Sequence, residues 1–577
     1  MIRSGQLCTV GGKNILFGVN NILSSLFSIK QRKLGACLIS LDFFKAYDRV
    51  MVDFLLVVMK KMNFSTKFCN WVKMLHAGAK TRFILQTLTR LVSLSFSIRQ
   101  GDPLAMILYI IYIEPLLLYL ERKLVGLRIG NRVQCLEPYC DDVNVLTNNV
   151  SDFVVLDDAV RKFESISGAI LSRDKKCKVM GLESWANRVD WPLDYLKNVK
   201  EIKVFGIYVL DSYRSLIKRN WDFRFDKFVD AIRSWTPRIL ETLGQRVEVL
   251  KLFAFSRVYY VASVLPITET MFKKFDKEVG KFLWNASGRV LRVSLEELQN
   301  IPGKGGLGLP CMRNRNKALL LSQLLRLLKS RDRKSLGHVG YWIGELLGDL
   351  LPGIDDGDHA QEMPAYFGHI SQLVADAKAS DFINQSNWRG LTSKTIYMKL
   401  IKSKPVPKVE QEAGFSFKEV WRRVSSSVLA PTDQDSLYLL IHNKLPVKER
   451  LFRIGLALDP YCQVCPSAEV CDIEHFFCYC YRVSQVWLEV RAMLGRVLGV
   501  NCDNCSDLQL VSLQFPASNG GTQGVWLMGT FVSWVWEELF IREAPVLKKE
   551  VFFGYLKFKY RIALQLGIVL GVIPGVA

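Results

Sequence analysis

Two adjacent aspartates, Asp141 and Asp142, stand inside an apolar run, EPYCDDVNVL, at residues 137–146. Adjacent carboxylates repel each other, and strands favour β-branched and aromatic side chains over acids. The run is accommodated most simply if the acids collect at a turn between two strands. QCLEPYCDDVNVLTNN then reads as a hairpin: strand, acidic tip, strand. Such a tip holds two carboxylates rigidly in a cleft, at a cost that cations relieve. Magnesium is the natural partner, a hard ion that takes oxygen ligands and is often shared with substrate phosphates. For an Asp-Asp pair taken alone, a solvated acidic turn is the plain alternative.

A third acid ends a second short run. ACLISLD, residues 36–42, reads as a buried strand that delivers Asp42. If that strand neighbours the hairpin, three carboxylates could hold two Mg²⁺ ions about 4 Å apart. One ion would activate a 3′-hydroxyl and the other would steady a leaving pyrophosphate, which is nucleotidyl transfer. The charge agrees. Lys and Arg number 77 against 55 Asp and Glu, a formal net charge of +22. An excess of this size points to a polyanion, usually nucleic acid, but fixes neither fold nor reaction.

The 577 residues, 49% of them hydrophobic, suffice for about three or four domain-sized units with substantial cores. KAYDRVMVDFLLVVMKKM has helical spacing and would put Asp48 in the helix's first turn, beside its positive end. SFSIRQGDPLAMILYIIYIEPLLLYLERKL begins as a strand, breaks at Gly101 and Pro103, and continues as a long apolar helix with Pro103 in its first turn. DFVVLDDAVRKFESISGA is an amphipathic helix closed by Gly168, and VKEIKVFGIYVL is a strand pair. From about 212 to 345 the pattern is mainly helical, interrupted by GKGGLGLP; residues 352–412 read as a linker with short helices.

Most of the 14 cysteines are scattered in apolar runs, as in reduced intracellular proteins. No secretory leader is visible, and the apolar tail LQLGIVLGVIPGVA is shorter than the roughly 20 residues a spanning helix needs. The expectation is an intracellular protein, nuclear or cytoplasmic, without a membrane anchor.

The motifs gain meaning from their order. SLDFFKAYDRV (40–50), RQGDPLAMILY (99–109), YCDDV (139–143), SGAILSRDKKCK (167–178) and VFGIYV (204–209) follow one another. Together they resemble the successive palm motifs of reverse transcriptases. More narrowly they resemble the polymerase of LINE-type (non-LTR) retrotransposons, with GQRVEVLKLFAFSRVYYVASVLP, FLWN and GGLGLP matching that narrower group. The resemblance covers about residues 5–330 and 435–490.

The resemblance assigns roles. Asp42, Asp141 and Asp142 would be the catalytic carboxylates and the Mg²⁺ ligands. Tyr47 would lie under the incoming sugar and exclude a ribose 2′-hydroxyl; a core tyrosine on a helix is the alternative. Arg99, Gln100 and Gly101 match the family's Arg-Gln-Gly, with Gly101 allowing close backbone approach and Gln100 hydrogen-bonding near nucleotide and template. Lys175 matches the motif lysine, a proton donor to pyrophosphate, or else belongs to a solvated basic run. Lys45 and Asp48 read as structural. Cys140 replaces the usual alanine, Ala105 a serine and Ser172 an asparagine. The fingers strands expected upstream do not precede GQLCTVGGKNILFGVNNIL, so the expectation is an N-terminally truncated element copy or partial gene model.

A second cluster, CQVCPSAEVCDIEHFFCYC, offers Cys462-x2-Cys465 and His475-x4-Cys480 as a closed tetrahedral zinc site of structural type. Cys471 and Cys478 compete as ligands, and buried free thiols are the alternative. Cys480 fits the family pattern of Cys-x2-Cys followed by His-Leu-Phe-x-x-Cys, with Phe for Leu.

The expected fold is α+β: a reverse-transcriptase palm with a fingers remnant over 1–210, a helical thumb and connection over 211–345, a linker with short helices over 346–430, a helical segment with the zinc-binding module over 431–495, and a C-terminal helical region over 496–577. The expected function is RNA-directed DNA polymerisation primed on nicked target DNA, with two Mg²⁺, one structural Zn²⁺, RNA template, DNA primer and dNTPs. A catalytically silent nucleic-acid-binding remnant is the main alternative. A telomerase or group II intron relative and a polymerase-like scaffold are others.

Overall fold

Ala36–Leu41 is a strand buried along almost its whole length, as its continuous apolar sequence requires. It forms the middle of a five-stranded sheet. Asp142–Thr147 pairs with it antiparallel on one side and Lys178–Leu182 antiparallel on the other. Leu136–Tyr139 flanks Asp142–Thr147, and the short Lys197–Asn198 runs parallel to Lys178–Leu182 at the far edge. The computed structural model describes the chain apart from positions 1–5, 9, 77–79, 83–87, 89, 94–96, 100, 130–131, 175, 236–239, 241, 285–292, 331, 355–361, 403–416, 467, 500–504, 516–519, 569, 571–572, 574–575 and 577.

Side-chain alternation sorts the sheet into two faces. Cys37, Ile39, Leu41, Val143, Val145 and Val179 enter one core. Leu108 and Leu117 of helix Ala105–Lys123, Phe153 and Phe163 of helix Ser151–Ser167, and Leu55 and Met59 of helix Val52–Lys61 fill the same core. Each such side chain contributes about 1.5–3 kcal/mol on burial, so the helix layer holds the sheet rigidly from one side. Gly168 ends Ser151–Ser167 at φ 84, as the sequence predicts. Glu201–Val204 and Ile207–Leu210 form the expected strand pair, joined through Phe205 and Gly206 at φ 50 and 80, the two positive angles of a type I′ turn. The α+β class is the one expected.

Three local expectations are corrected. The segment after Asp42 does not begin a helix: residues 44–49 are turns, with Lys45 at φ 45 and the Asp48 N–H donating to the Lys45 carbonyl (2.9 Å). The helix starts at Val52, so Asp53 and not Asp48 occupies its first turn. The long apolar helix starts at Ala105, beyond Pro103; Asp102 Oδ1 accepts from the Leu104 N–H (2.8 Å) in the turn before it. The stretch expected as a linker with short helices contains one helix of 15 residues, Ala365–Ala379, which buries Tyr366, Phe367, Ile370 and Val374. Those residues recur at helical spacing, and the composition of the surrounding chain hid them.

Packing divides the chain into two compact units. The first comprises Met1–Arg224, Tyr259–Ile267 and Asn316–Ile396; the second comprises Phe225–Val258, Thr268–Arg315 and Tyr397–Ala577. In the first unit, helix Ile15–Gln31, capped by Asn14 Oδ1 on the Leu16 N–H (3.0 Å), packs against helix Arg333–Leu347. In the second, helix Gly521–Trp536 is apolar on nearly every side and is enclosed by Pro431–Ile441 and Ser484–Leu498. Among the described residues no helix is long and apolar enough to cross a membrane.

Candidate active site and metal centre

Strand register brings the acids together. Leu41 pairs with Val143, so one further step places Asp42 opposite Asp142. Both positions alternate onto the face away from the Leu41–Val143 core. Asp141 sits in the two-residue loop closed by the Tyr139–Asp142 pair. Cys140, the first residue of that loop, has φ 57, and Asp141 does not have a positive φ, the pattern of a type II′ turn. A tight turn of this kind fixes Asp141 beside Asp142.

The carboxylates sense one another. Burial, with the charge of Asp42 adding to it, holds the Asp141 carboxyl above its usual range against a backbone hydrogen bond that lowers it. Burial, then Asp141, then Asp42 does the same for Asp142. Acids held together against their repulsion, with oxygen as the only donor type, suit a hard divalent cation such as Mg²⁺. Lys176 Nζ stands 3.7 Å from Asp42 Oδ2, although both side chains are substantially exposed. Sequence reasoning singled out its neighbour Lys175, which lies outside the described residues, as does Gln100.

Tyr47 is half-buried next to the hairpin tip. Its ring stacks on Tyr109, with centroids 4.9 Å apart, and its hydroxyl lies 2.8 Å from Cys140 Sγ. It is therefore part of the site's wall and part of the core edge at once, on a turn and not on a helix. Gly101 has φ 89, and open space surrounds the position a Cβ would take. Arg99 donates to the Leu75 carbonyl, and no described contact joins it to the acids. Sequence reasoning missed Gln6, a fully buried side chain whose Oε1 accepts from the Cys140 N–H (2.9 Å). No pattern in the sequence links positions so far apart.

The second centre is in the other unit. Cys462, Cys465, His475 and Cys480 present ligand atoms that all lie within 4.8 Å of one another. Cys462 Sγ–Cys480 Sγ is 3.9 Å, Cys465 Sγ–Cys480 Sγ 3.8 Å, and Cys465 Sγ–His475 Nε2 3.4 Å. Tetrahedral zinc, with Zn–S about 2.3 Å and Zn–N about 2.0 Å, requires edges of about 3.8 and 3.5 Å. The four residues fit the ion. Cys462 and Cys465 lie in a small loop closed by the Tyr461–Val470 bridge.

His475 and Cys480 are brought together by a single wide turn, His475–Tyr479, in which the Cys480 N–H reaches the His475 carbonyl (2.7 Å). An ordinary α-helix would separate residues five apart by about 140°; the i→i+5 turn removes most of that angle. His475 Nδ1 faces Glu469 Oε2 at 2.9 Å, which fixes the ring and directs Nε2 at the thiols. Burial opposes ionisation of Cys462, but the backbone N–H groups of Val464 and Cys465 bring its pKa down to about 7. Burial pushes Cys471 up to about 11. Cys471 and Cys478 are buried and stand outside the four-ligand group.

The chain is similar to known families over two segments. Residues 12–209 match the family described as "Reverse transcriptase (RNA-dependent DNA polymerase)". Residues 392–487 match "zinc-binding in reverse transcriptase". The "Transposon TX1 uncharacterized 149 kDa protein" of Xenopus laevis is 27% identical over 342 residues, covering 57% of this chain and 25% of that protein. The "Retrovirus-related Pol polyprotein from type-2 retrotransposable element R2DM" of Drosophila melanogaster is 24% identical over 229 residues, covering 37% of this chain and 21% of that protein. The chain thus spans a quarter or less of the length of these curated relatives. A telomerase structure from Candida albicans in complex with a fragment of telomeric RNA overlaps 67% of this chain and 53% of its own, at 9% identity and a TM-score of 0.27, too loose a likeness to carry an argument.

Proposed function

Because the chain belongs to the reverse transcriptases of the LINE (non-LTR retrotransposon) type, we propose that it polymerises DNA on an RNA template at Asp42, Asp141 and Asp142. The observation that carries this reading is the strand register, which sets Asp42 opposite Asp142 and beside Asp141 at one end of the sheet. Two Mg²⁺ ions held there would activate the primer 3′-hydroxyl and neutralise the leaving pyrophosphate.

The remaining roles belong to the chain's own residues. The Tyr47 ring, stacked on Tyr109, would form the floor under the incoming sugar and exclude a 2′-hydroxyl. Gly101 would let the nucleotide or template approach the backbone, with Arg99 and Gln100 beside it. Lys175 would supply a proton to pyrophosphate. The partners would be an RNA template, dNTPs and a DNA primer, taken from a nick in target DNA, as the +22 net charge favours.

The zinc-binding segment has a structural part in this proposal. Cys462, Cys465, His475 and Cys480 would close around one Zn²⁺ with no open position, so the ion would hold the fold of this segment and take no part in the chemistry. Primer extension on an RNA template, with Mg²⁺ and with chelator, tests the proposal. Template-directed, Mg²⁺-dependent incorporation of dNTPs is expected. Tight RNA binding with no incorporation would instead favour the silent remnant.

A further inference from the structure

The acidic hairpin is held from outside the sheet, by a residue that precedes the segment matched to the reverse-transcriptase family. Gln6 is fully buried. Its Oε1 accepts from the Cys140 N–H at 2.9 Å and from the Cys8 N–H at 3.2 Å. The Leu7 N–H donates to the Pro138 carbonyl at 3.3 Å, on the strand that leads into the turn. Residues 6–8 therefore lie along the outer side of the hairpin tip and hydrogen-bond to it at two points.

The Cys140 N–H explains why this contact matters. Loop residues of a two-residue hairpin have no partner in the strand ladder and normally donate to water. Cys140 is buried, so its N–H must find a protein acceptor or remain unpaired. Cys140 also carries a positive φ of 57, which an L-residue adopts only when its surroundings impose it. One amide oxygen answers both needs. It satisfies the buried N–H and holds the Tyr139–Cys140 peptide plane, which leads into the turn that carries Asp141.

We infer that Gln6 is a positioning residue that holds the Cys140–Asp141 turn and thereby sets the spacing of the carboxylates at the polymerase centre. The inference rests on the proposed polymerase reading for its meaning but not for its test. The role assigned to Gln6 is indirect. It acts through the backbone of Cys140, as outer hydrogen bonds orient metal ligands elsewhere, where their loss weakens metal binding by about 10–100-fold.

The test uses Mn²⁺ as probe, titrated into the full chain by electron paramagnetic resonance, and amide hydrogen exchange over residues 136–147. Gln6→Met keeps the side-chain length and removes the acceptor. It should weaken Mn²⁺ binding about 10–100-fold and speed exchange at the hairpin tip, with the melting transition retained. Gln6→Glu keeps an acceptor oxygen at the same reach and should restore slow exchange. If Gln6→Met does not fold, Gln6→Asn, which keeps the amide on a shorter arm, takes its place in the comparison. Wild-type Mn²⁺ affinity and unchanged exchange in the folded variant would overturn the inference. Absence of primer extension by the wild-type chain would count against the polymerase reading alone, because neither measurement requires turnover.

Discussion

The Tyr47 hydroxyl lies 2.8 Å from the Cys140 thiol, which joins the turn after the central strand to the tip of the acidic hairpin. The same ring stacks on the buried Tyr109. A side chain held on two sides makes a rigid floor, and steric exclusion needs rigidity. Tyr47→Ala should therefore admit ribonucleotides, lowering the preference for dNTPs over rNTPs at least tenfold, with a smaller effect on dNTP turnover. Tyr47→Phe should keep the discrimination, because the ring remains. Single-nucleotide incorporation with dNTP and rNTP in parallel measures the ratio; an unchanged ratio in Tyr47→Ala would make the residue part of the core only.

The metal centre predicts a specific pattern of ligand dependence. Purified protein should contain about one zinc per chain, and Cys480→Ser should lose it whereas Cys478→Ser should not. Glu469→Gln, which weakens the carboxylate hold on His475 Nδ1, should lower zinc affinity about 10–100-fold. Competition with a chromogenic chelator reads all three. Retention of zinc by Cys480→Ser would move the fourth ligand elsewhere.

Behind the hairpin, Glu137 is fully buried and meets Lys334 Nζ at 2.8 Å, with Asn21 and Gln134 donating to the same carboxylate. Removing one member of such a pair leaves a buried charge without compensation. Lys334→Met should destabilise the chain by about 3–5 kcal/mol, whereas the double change Lys334→Met with Glu137→Leu should recover much of that loss. Urea denaturation of the three proteins gives the comparison. Equal stability of wild type and Lys334→Met would show that Glu137 is solvated or protonated in the folded chain.

His338 gives a prediction for pH. Burial first, then the charges of Lys334 and Arg132, lower its pKa from 6.5 to about 3. The neutral ring bridges Ser24 Oγ (2.9 Å) and Gln134 Oε1 (3.1 Å). In the unfolded chain His338 takes up a proton below about pH 6.5, and in the folded chain only near pH 3. Between those values the unfolded state binds more protons, so stability falls as the pH falls. For this one group the slope approaches about 1.4 kcal/mol per pH unit below pH 6. His338→Gln should flatten that part of the stability curve. An identical pH dependence in the variant would mean that the ring titrates normally.

Much of the palm was legible in the sequence because its signals are local. A continuous apolar run predicts a central strand, and two acids inside such a run predict a turn; Ala36–Leu41 and the 136–147 hairpin follow from nothing more. The zinc ligands were legible from spacing together with the family resemblance, which alone favoured Cys480 over Cys478. The turn that unites two of them was not, because an i→i+5 hydrogen bond between His475 and Cys480 has no compositional mark. The helix expected after Asp42 failed on backbone conformation: Lys45 has a positive φ, which apolar periodicity does not report. Gln6 was invisible because its partner is 134 positions away. The two packing units were equally hidden, since each gathers three separated stretches of chain.

The central claim is that Asp42, Asp141 and Asp142 form one Mg²⁺-dependent nucleotidyl-transfer centre. Single-turnover primer extension on an RNA template tests it most directly, with wild type compared with Asp42→Asn, Asp141→Asn and Asp142→Asn. Each substitution should abolish extension to at least a thousandfold below wild type, while RNA binding and the melting transition persist, because loss of one carboxylate disables the metal pair and leaves the sheet intact. Extension at wild-type rates by any one of the three variants would contradict the account.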